Sequence, residues 1–181
     1  MPFGRERREE RRADRRGDGA IHYQMRQRLL SIGDDYWIET DGGDRAYKVD
    51  GKALRFRDTF VLEDAAGREV AKIRERKLRI KDSMEIEDPS GNRIALVKKA
   101  LLTPFRDRFD IEMADGSEIE AHGNIVDHEY TLGRDGDDIA QVSKKWFRVA
   151  DTYGVEVAAG QDPVLVLAAT VAIDAMSHDE R

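Results

Sequence analysis

The chain has 181 residues, which fits one domain with a substantial core, and 38% of them are charged, with a formal net charge of −6. Such a surface is well solvated and repels phosphate backbones at long range, so we expect no nucleic-acid partner. The absence of cysteine excludes disulfides, thiolate metal ligands and cysteine nucleophiles.

The first residues differ sharply in composition from the rest of the chain. Residues 5–18 contain seven arginines and five acidic residues, with one alanine as the only apolar side chain. Such a segment buries too little apolar surface to offset the entropy lost on ordering, and it lacks the apolar centre of a secretory signal. We therefore predict a disordered, solubilising tail at 1–19, a folded domain at 20–178, and a cytoplasmic location, with peripheral membrane contact as an option.

Several stretches alternate between apolar and polar residues, which predicts strands with one face toward a core and one toward water. Turn signals that contain glycine separate these stretches, so the body is predicted to be a chain of β-hairpins. The clearest alternating stretches are Leu54–Arg57, Met84–Glu87, Phe109–Met113 and Tyr153–Val157, and the turn signals are Asp41-Gly42, Asp50-Gly51, Ala66-Gly67, Ser90-Gly91, Asp115-Gly116 and Asp135-Gly136.

One hairpin pattern occurs three times: a turn glycine, two spacer residues, a β-branched residue, alanine, any residue and a second β-branched residue. Its offsets of 24 and 45 residues give no fixed period, so repeated hairpins of one sheet fit better than a solenoid. A small alanine beside a branched residue suits the tapering interior of a small barrel. The three copies are Gly67–Ile73, Gly91–Val97 and Gly136–Val142.

The C-terminal segment has a different pattern. Asp162 is a favoured N-cap, and Pro163 fits the first position of a helix. Between residues 164 and 173 only Thr170 is polar, so a helix here is apolar on every side and needs burial all round. The β-branched residues also permit a central buried strand, but the Asp-Pro start and the alanines favour a helix over about residues 163–176. Because a bilayer span takes roughly 20 apolar residues, no transmembrane span is expected.

Four segments and the closing apolar run are similar to the LURP-one-related family, a branch of the tubby-like proteins. The similarity runs in order from about Met25 to Met176. It implies a mainly β fold, a closed antiparallel barrel of about a dozen strands around a buried hydrophobic C-terminal helix, as in tubby domains and phospholipid scramblases. The four segments are Leu29–Tyr36, Tyr47–Lys52, Ser143–Phe147 and Asp151–Val155.

The resemblance implies less about function than about fold. Tubby domains bind phosphoinositides through basic residues whose motif has no residue-by-residue match in this chain. Scramblases carry an acidic calcium-binding stretch before the helix, but residues 156–162 lack the alternating carboxylates that supply about six to eight oxygen ligands. We therefore predict no bound metal and no cofactor.

The residues that carry chemistry in enzymes form no recognisable pattern here. His122 and His128 flank two acidic residues, but their six-residue separation matches no metal-ligand spacing. The serines lie in no nucleophile elbow, and no glycine-rich phosphate loop precedes a helix. Asp174 closes the apolar run, and we expect it to bond to an arginine or a backbone group where the helix emerges, with an ion or proton site as the alternative. We predict no enzymatic activity.

The strongest binding signal is basic. Five cationic residues lie between positions 74 and 81, and two lysine pairs end corresponding strands of the repeated hairpins, which should place those pairs on one rim beside Trp146 and Phe147. Basic residues next to aromatic rings suit an anionic headgroup, whereas a solvated rim that prevents edge pairing is the alternative. The connection holds Arg74, Arg76, Lys77, Arg79 and Lys81, and the predicted ligand-binding residues are Lys98, Lys99, Lys144, Lys145 and Arg148.

These features together predict a monomeric, non-enzymatic binding or regulatory module that engages an anionic phospholipid headgroup or an acidic protein partner. Two alternatives stay open. One is a scramblase-like, membrane-active protein whose C-terminal helix enters lipid, and the other is an enzyme whose site is assembled from scattered residues.

Overall fold

A computed structural model of the chain describes residues 19–26, 35–50, 59–76, 83–100, 108–147 and 151–178. These residues form twelve strands, one short 3-10 helix and one long α-helix. The strands are β1 (Ile21–Arg26), β2 (Tyr36–Thr40), β3 (Arg45–Asp50), β4 (Thr59–Asp64), β5 (Glu69–Glu75), β6 (Ser83–Glu87), β7 (Arg93–Lys99), β8 (Arg108–Met113), β9 (Glu118–Asn124), β10 (Glu129–Arg134), β11 (Asp137–Ser143) and β12 (Thr152–Val157); the α-helix is α1 (Pro163–His178).

The strands form a closed barrel in which each strand pairs with its neighbours in the sequence and β1 pairs with β12. The closing ladder is antiparallel and runs from Ile21 opposite Val157 to Arg26 opposite Thr152. Because neighbouring strands alternate in direction, all odd-numbered strands end at the same end of the barrel. The other end, called the hairpin end, carries the turns whose left-handed glycines are Gly43, Gly67, Gly91, Gly116 and Gly136.

The three repeated hairpin units form the second strands of three hairpins, β5, β7 and β11. Their alanines, Ala71, Ala95 and Ala140, are all buried, so the pattern does place a small side chain inside the barrel. At the β2–β3 turn the left-handed residue is Gly43, which directly follows the predicted turn signal Asp41-Gly42. The predicted strand Leu54–Arg57 lies outside the described residues.

α1 fills the barrel. Every residue from Leu165 to Met176 is buried, and the helix packs against β5, β6, β7 and β12. Asp162 caps it, since its Oδ1 accepts a hydrogen bond of 2.9 Å from the backbone N–H of Val164. The segment is therefore a helix and not a central strand, and burial of each of its large side chains contributes about 1.5 to 3 kcal/mol.

The predicted class of fold, a closed antiparallel barrel around a buried C-terminal helix, is confirmed. The helix extends to His178, beyond the predicted end near residue 176. In the described ranges no helix has both the length and the apolar character needed to cross a membrane. All of the predicted tail, residues 1–19, except its last residue lies outside the described residues, so the domain boundary at residue 20 stays a prediction.

Candidate functional site

An open groove of about 370 Å³ lies on the outer wall of the barrel, over β1 and β12. The alternation of inward and outward side chains along β1 and β12 creates this groove. On β12 the side chains of Val155 and Val157 are buried in the core, which turns Glu156 outward, and on β1 the same alternation leaves His22 outside. These two outward residues face each other directly across the closing ladder. We call this depression the outer groove, and it is lined by His22, Tyr23, Asp41, Trp146, Phe147 and Glu156.

An imidazole lies between two carboxylates in the outer groove. His22 Nε2 is 2.8 Å from Glu156 Oε2, and His22 Nδ1 is 3.4 Å from Asp41 Oδ2. The Asp41 side chain is 61% exposed and that of Glu156 is 17% exposed. Asp41 therefore stands at the mouth of the groove, where a ligand from solution reaches it first, and Glu156 lies deeper.

A short 3-10 helix, Lys144–Trp146, carries the aromatic wall of the groove. Ser143 begins this helix, and its Oγ accepts a hydrogen bond of 3.2 Å from the Lys145 backbone N–H. The same hydroxyl donates to the Glu129 carboxylate at 3.0 Å, and Glu129 also accepts from the Lys144 backbone N–H at 3.1 Å. These bonds fasten the short helix to β10 and so fix the position of Trp146.

Gly154 explains why two aromatic rings can lie close to this part of the wall. A Cβ atom built on Gly154 would lie 2.5 Å from Cε3 of Trp146 and 2.9 Å from Cε2 of Phe147, far closer than van der Waals contact allows. The absence of a side chain therefore makes room for both rings. Trp146 also meets the His22 ring edge to face, with centroids 6.1 Å apart and an interplanar angle of 82°.

A second group of polar side chains lies inside the barrel, at the end opposite the hairpin end. Its centre is Asp174 of α1, which is 2% exposed. The Tyr153 hydroxyl donates a hydrogen bond to Asp174 Oδ2, and His128 Nε2 lies 3.0 Å from Asp174 Oδ1. The approach of His128 to Asp174 is not a well-directed hydrogen bond, because neither ring nitrogen has a hydrogen-bond partner of acceptable geometry. The inner cluster comprises Asp174, His128, Tyr153, Tyr36 and Tyr130.

The tyrosines of the inner cluster are held in their neutral form. Burial raises the pKa of Tyr36, Tyr130 and Tyr153 well above the usual value, and the Asp174 carboxylate raises it further. The His128 ring stacks on Tyr153 with centroids 4.3 Å apart. A left-handed backbone at His128, with φ 53°, turns this ring into the core.

The structure corrects the expectation for Asp174. We expected this residue to bond to an arginine or the backbone where the helix leaves the core. It instead lies within α1, buried, with a phenol and an imidazole as its partners. Because α1 continues to His178, Asp174 is not at the emerging end of the helix.

Those of the predicted basic residues that the structure describes lie at the end of the barrel opposite the hairpin end. Lys98 and Lys99 finish β7, and Lys144 and Lys145 follow β11, with β8, β9 and β10 between the two strands. Arg148 lies outside the described residues, as do the basic residues between positions 77 and 82. Whether these residues bind a ligand stays a prediction.

Carboxylates accompany the basic side chains at this end. Lys98 Nζ pairs with Glu112 on the neighbouring strand, and Arg74 pairs with Glu87. Further pairs join Lys145 Nζ to Glu129 Oε2 at 3.6 Å and Arg76 Nε to Glu85 Oε2 at 3.9 Å. Each pair lowers the positive potential that an anionic headgroup would meet.

The two histidines considered as metal ligands lie in different surroundings. His122 is exposed on β9, whereas His128 is buried in the inner cluster. In the part of the chain that the structure describes, no group of three or more His, Cys, Asp or Glu side chains could hold a metal ion.

Sequence reasoning did not find the outer groove, although one signal pointed to it. Gly154 interrupts an otherwise regular alternating strand, and a glycine inside a strand indicates close approach of another group. In the sequence the partners of that approach, Trp146 and Phe147, stand out only as neighbours of Lys144 and Lys145.

Comparison with known proteins agrees with this architecture. The LURP-one-related family model matches residues 21–174. The X-ray structure of a protein from Arabidopsis thaliana is similar, with a TM-score of 0.68 and 17% sequence identity, and the match covers 88% of this chain and 93% of that chain. At this identity the likeness shows the fold alone. None of the curated proteins matches the chain. Since the family model spans most of the sequence, the chain belongs to the LURP-one-related family.

Proposed function

We propose that this protein is a non-enzymatic binding module and that the outer groove is its recognition site. The observation that carries the proposal is an open groove in which two carboxylates and an imidazole lie beside two aromatic rings. Binding sites characteristically combine apolar walls with a few convergent polar groups. The barrel supplies a rigid support, because the groove residues come from β1, β12, the β2–β3 turn and the anchored 3-10 helix.

The arrangement supports recognition rather than catalysis. His22 is engaged by Glu156 and Asp41, so the imidazole is oriented by carboxylates on both sides. A nucleophilic site would pair such a histidine with a hydroxyl or thiol. The groove lining offers the Tyr23 phenol, whose pKa is raised to about 12 by burial and then by Tyr47, so it stays protonated.

A second candidate function is contact with an anionic surface, a phospholipid headgroup or an acidic protein, at the end opposite the hairpin end. The supporting observation is that β7 and β11 both finish there, so their terminal lysines share one end of the barrel. The ion pairs of Lys98 and Lys145 weaken this candidate. The scramblase-like alternative gains no support from α1, because the barrel encloses its apolar surface.

The two tryptophans make the groove directly testable by NMR. Trp146 lines the groove, whereas Trp37 on β2 is covered by the Arg45 guanidinium, 4.7 Å from the ring centroid. Each indole N–H gives its own signal, and substitution of each tryptophan by phenylalanine assigns the two. A panel of amino-acid derivatives of both charges, polyamines, nucleotides and inositol phosphates should contain members that shift the Trp146 signal saturably and leave Trp37 unchanged. If no member shifts Trp146, the groove is not the recognition site.

A further inference from the structure

We infer that the outer groove binds an organic cation, an ammonium or guanidinium group on an alkyl stem. The inference rests on the proposed function, since it names the ligand class of the same groove. It follows from the charged groups and aromatic rings of the groove. The charge of this ligand is opposite to that of the anionic ligand suggested by the basic residues of the sequence.

The charge of the groove is negative. Among the residues that the structure describes, its lining contains two carboxylates, Asp41 and Glu156, and one basic group, the His22 imidazole. With a neutral imidazole these lining residues carry two negative charges, and with a protonated imidazole they still carry one. An anionic ligand would meet repulsion in either state, whereas a cation meets attraction in both.

The aromatic wall favours a cation over a neutral polar ligand. Trp146 and Phe147 present ring surface beside the carboxylates, and a cation within about 6 Å of an indole centroid is attracted by the ring quadrupole. The protein already contains one such pair, because Arg45 lies over Trp37. The apolar stem of an arginine or lysine side chain covers the rings while its charged head reaches the carboxylates.

His22 lies between the two carboxylates of the groove. Both of its nitrogens face carboxylates, at 2.8 Å from Glu156 and 3.4 Å from Asp41, and its ring edge meets Trp146. A protonated imidazole neutralises part of the charge that attracts the ligand.

The experiment is an NMR titration of the full chain, read at the Trp146 and Trp37 indole signals. The probes are Nα-acetyl-arginine amide and Nα-acetyl-lysine amide, with the citrulline derivative as the neutral isostere of arginine and the glutamate derivative as the anion. We expect the cationic derivatives to bind with a Kd of the order of a millimolar, and at least about tenfold more tightly than citrulline. Putrescine distinguishes a free amine from a side chain as the source of the cation.

Two single substitutions in the β2–β3 turn form a matched pair of a test variant and its control. Asp41→Asn removes a groove carboxylate, and Asp44→Asn removes the same charge from an exposed position of the same turn. Asp41→Asn should weaken arginine-derivative binding several-fold, and Asp44→Asn should leave it nearly unchanged. Equal weakening by both variants would show that only long-range charge acts, which overturns the inference.

The outcomes separate this inference from the proposed function. If citrulline and glutamate derivatives shift Trp146 as strongly as the arginine derivative, the groove is a binding site but not one for cations, so the inference fails and the function stands. If no derivative of any charge shifts Trp146, both fail. If putrescine binds as tightly as the arginine derivative, a free amine is sufficient as the ligand. If the arginine derivative binds more tightly than putrescine, the ligand is a side chain of a polypeptide.

Discussion

The inner cluster and the outer groove contain the same chemical groups in opposite surroundings. Inside, Asp174 meets His128 at 3.0 Å, and the imidazole stacks on Tyr153. Outside, Glu156 meets His22 at 2.8 Å, and the imidazole lies edge to face with Trp146. Each site therefore contains a carboxylate, an imidazole and an aromatic ring, which separate elements of the fold bring together.

Solvent access decides what each set of groups does. The inner carboxylate is 2% exposed, so bulk solvent does not reach it to replace a lost partner, and its contacts hold the core together. The outer groove opens to solvent, and water or a ligand can take the place of any of its contacts. A histidine beside a carboxylate is therefore a structural feature in one place and a candidate binding site in the other.

The largest expected effect is unfolding at alkaline pH. The pKa of each inner tyrosine, Tyr36, Tyr130 and Tyr153, is raised in the folded state, so each contributes stability that is present below the unfolded pKa of about 10 and is lost as the pH rises above it. Each contributes a loss of up to about 1.4 kcal/mol per pH unit in that range. Tyrosinate absorbance and near-ultraviolet circular dichroism should change together. Ionisation of these tyrosines near pH 10 without unfolding would contradict the burial of the inner cluster.

Removal of the central carboxylate from each site tests the comparison most directly. Asp174→Ala leaves the Tyr153 hydroxyl and the His128 ring buried without their partner, and we expect a loss of about 3 to 5 kcal/mol in the free energy of unfolding. Glu156→Ala should cost about 1 kcal/mol or less, because solvent reaches its partner. Urea denaturation of the two variants gives both values. Equal losses would mean that the outer pair is also structural.

Substitution of Gly154 tests whether Trp146 and Phe147 rest against this glycine. In Gly154→Ala the new methyl group overlaps Trp146 and Phe147, so both rings must move, at a cost of about 1 to 2 kcal/mol. The Trp146 indole signal should shift and that of Trp37 should not, while the thermal transition stays cooperative. An unchanged Trp146 signal would show that the rings do not rest on this glycine.

The smallest effect is expected at the basic residues. Change of Lys98, Lys99, Lys144, Lys145 and Arg148 to glutamine should alter stability by less than about 1 kcal/mol. If this end contacts anionic lipid, the native chain should cosediment weakly with vesicles containing anionic lipid at low ionic strength, less so at moderate ionic strength, and the variant should not. Equal partitioning of both proteins would reject a lipid role.

The sequence predicted what depends on local pattern and burial. Alternation located β6, β8 and β12, and the Asp162-Pro163 start with its apolar run located α1, because these signals lie in neighbouring residues. The buried Ala71, Ala95 and Ala140 followed from the repeated hairpin pattern for the same reason.

Both sites depend on contacts that no local pattern encodes. His22 and Glu156 are 134 positions apart in the chain, and only closure of the barrel through β1 and β12 places them side by side. The sequence likewise shows the lysines as a group of positive charges, but it does not show that Glu112 pairs with Lys98. The sequence showed the charged groups, but their pairing required the register of the ladders.

Barrel closure also governs when the protein can fold during its synthesis. The closing ladder joins β1 to β12, and α1, which fills the interior, follows the twelve described strands in the sequence. A ribosome therefore exposes every apolar strand face before the element that covers those faces has been made. Stable folding must wait for release of α1 from the exit tunnel, and until then the nascent chain exposes its apolar strand faces and the unpaired edge of β1.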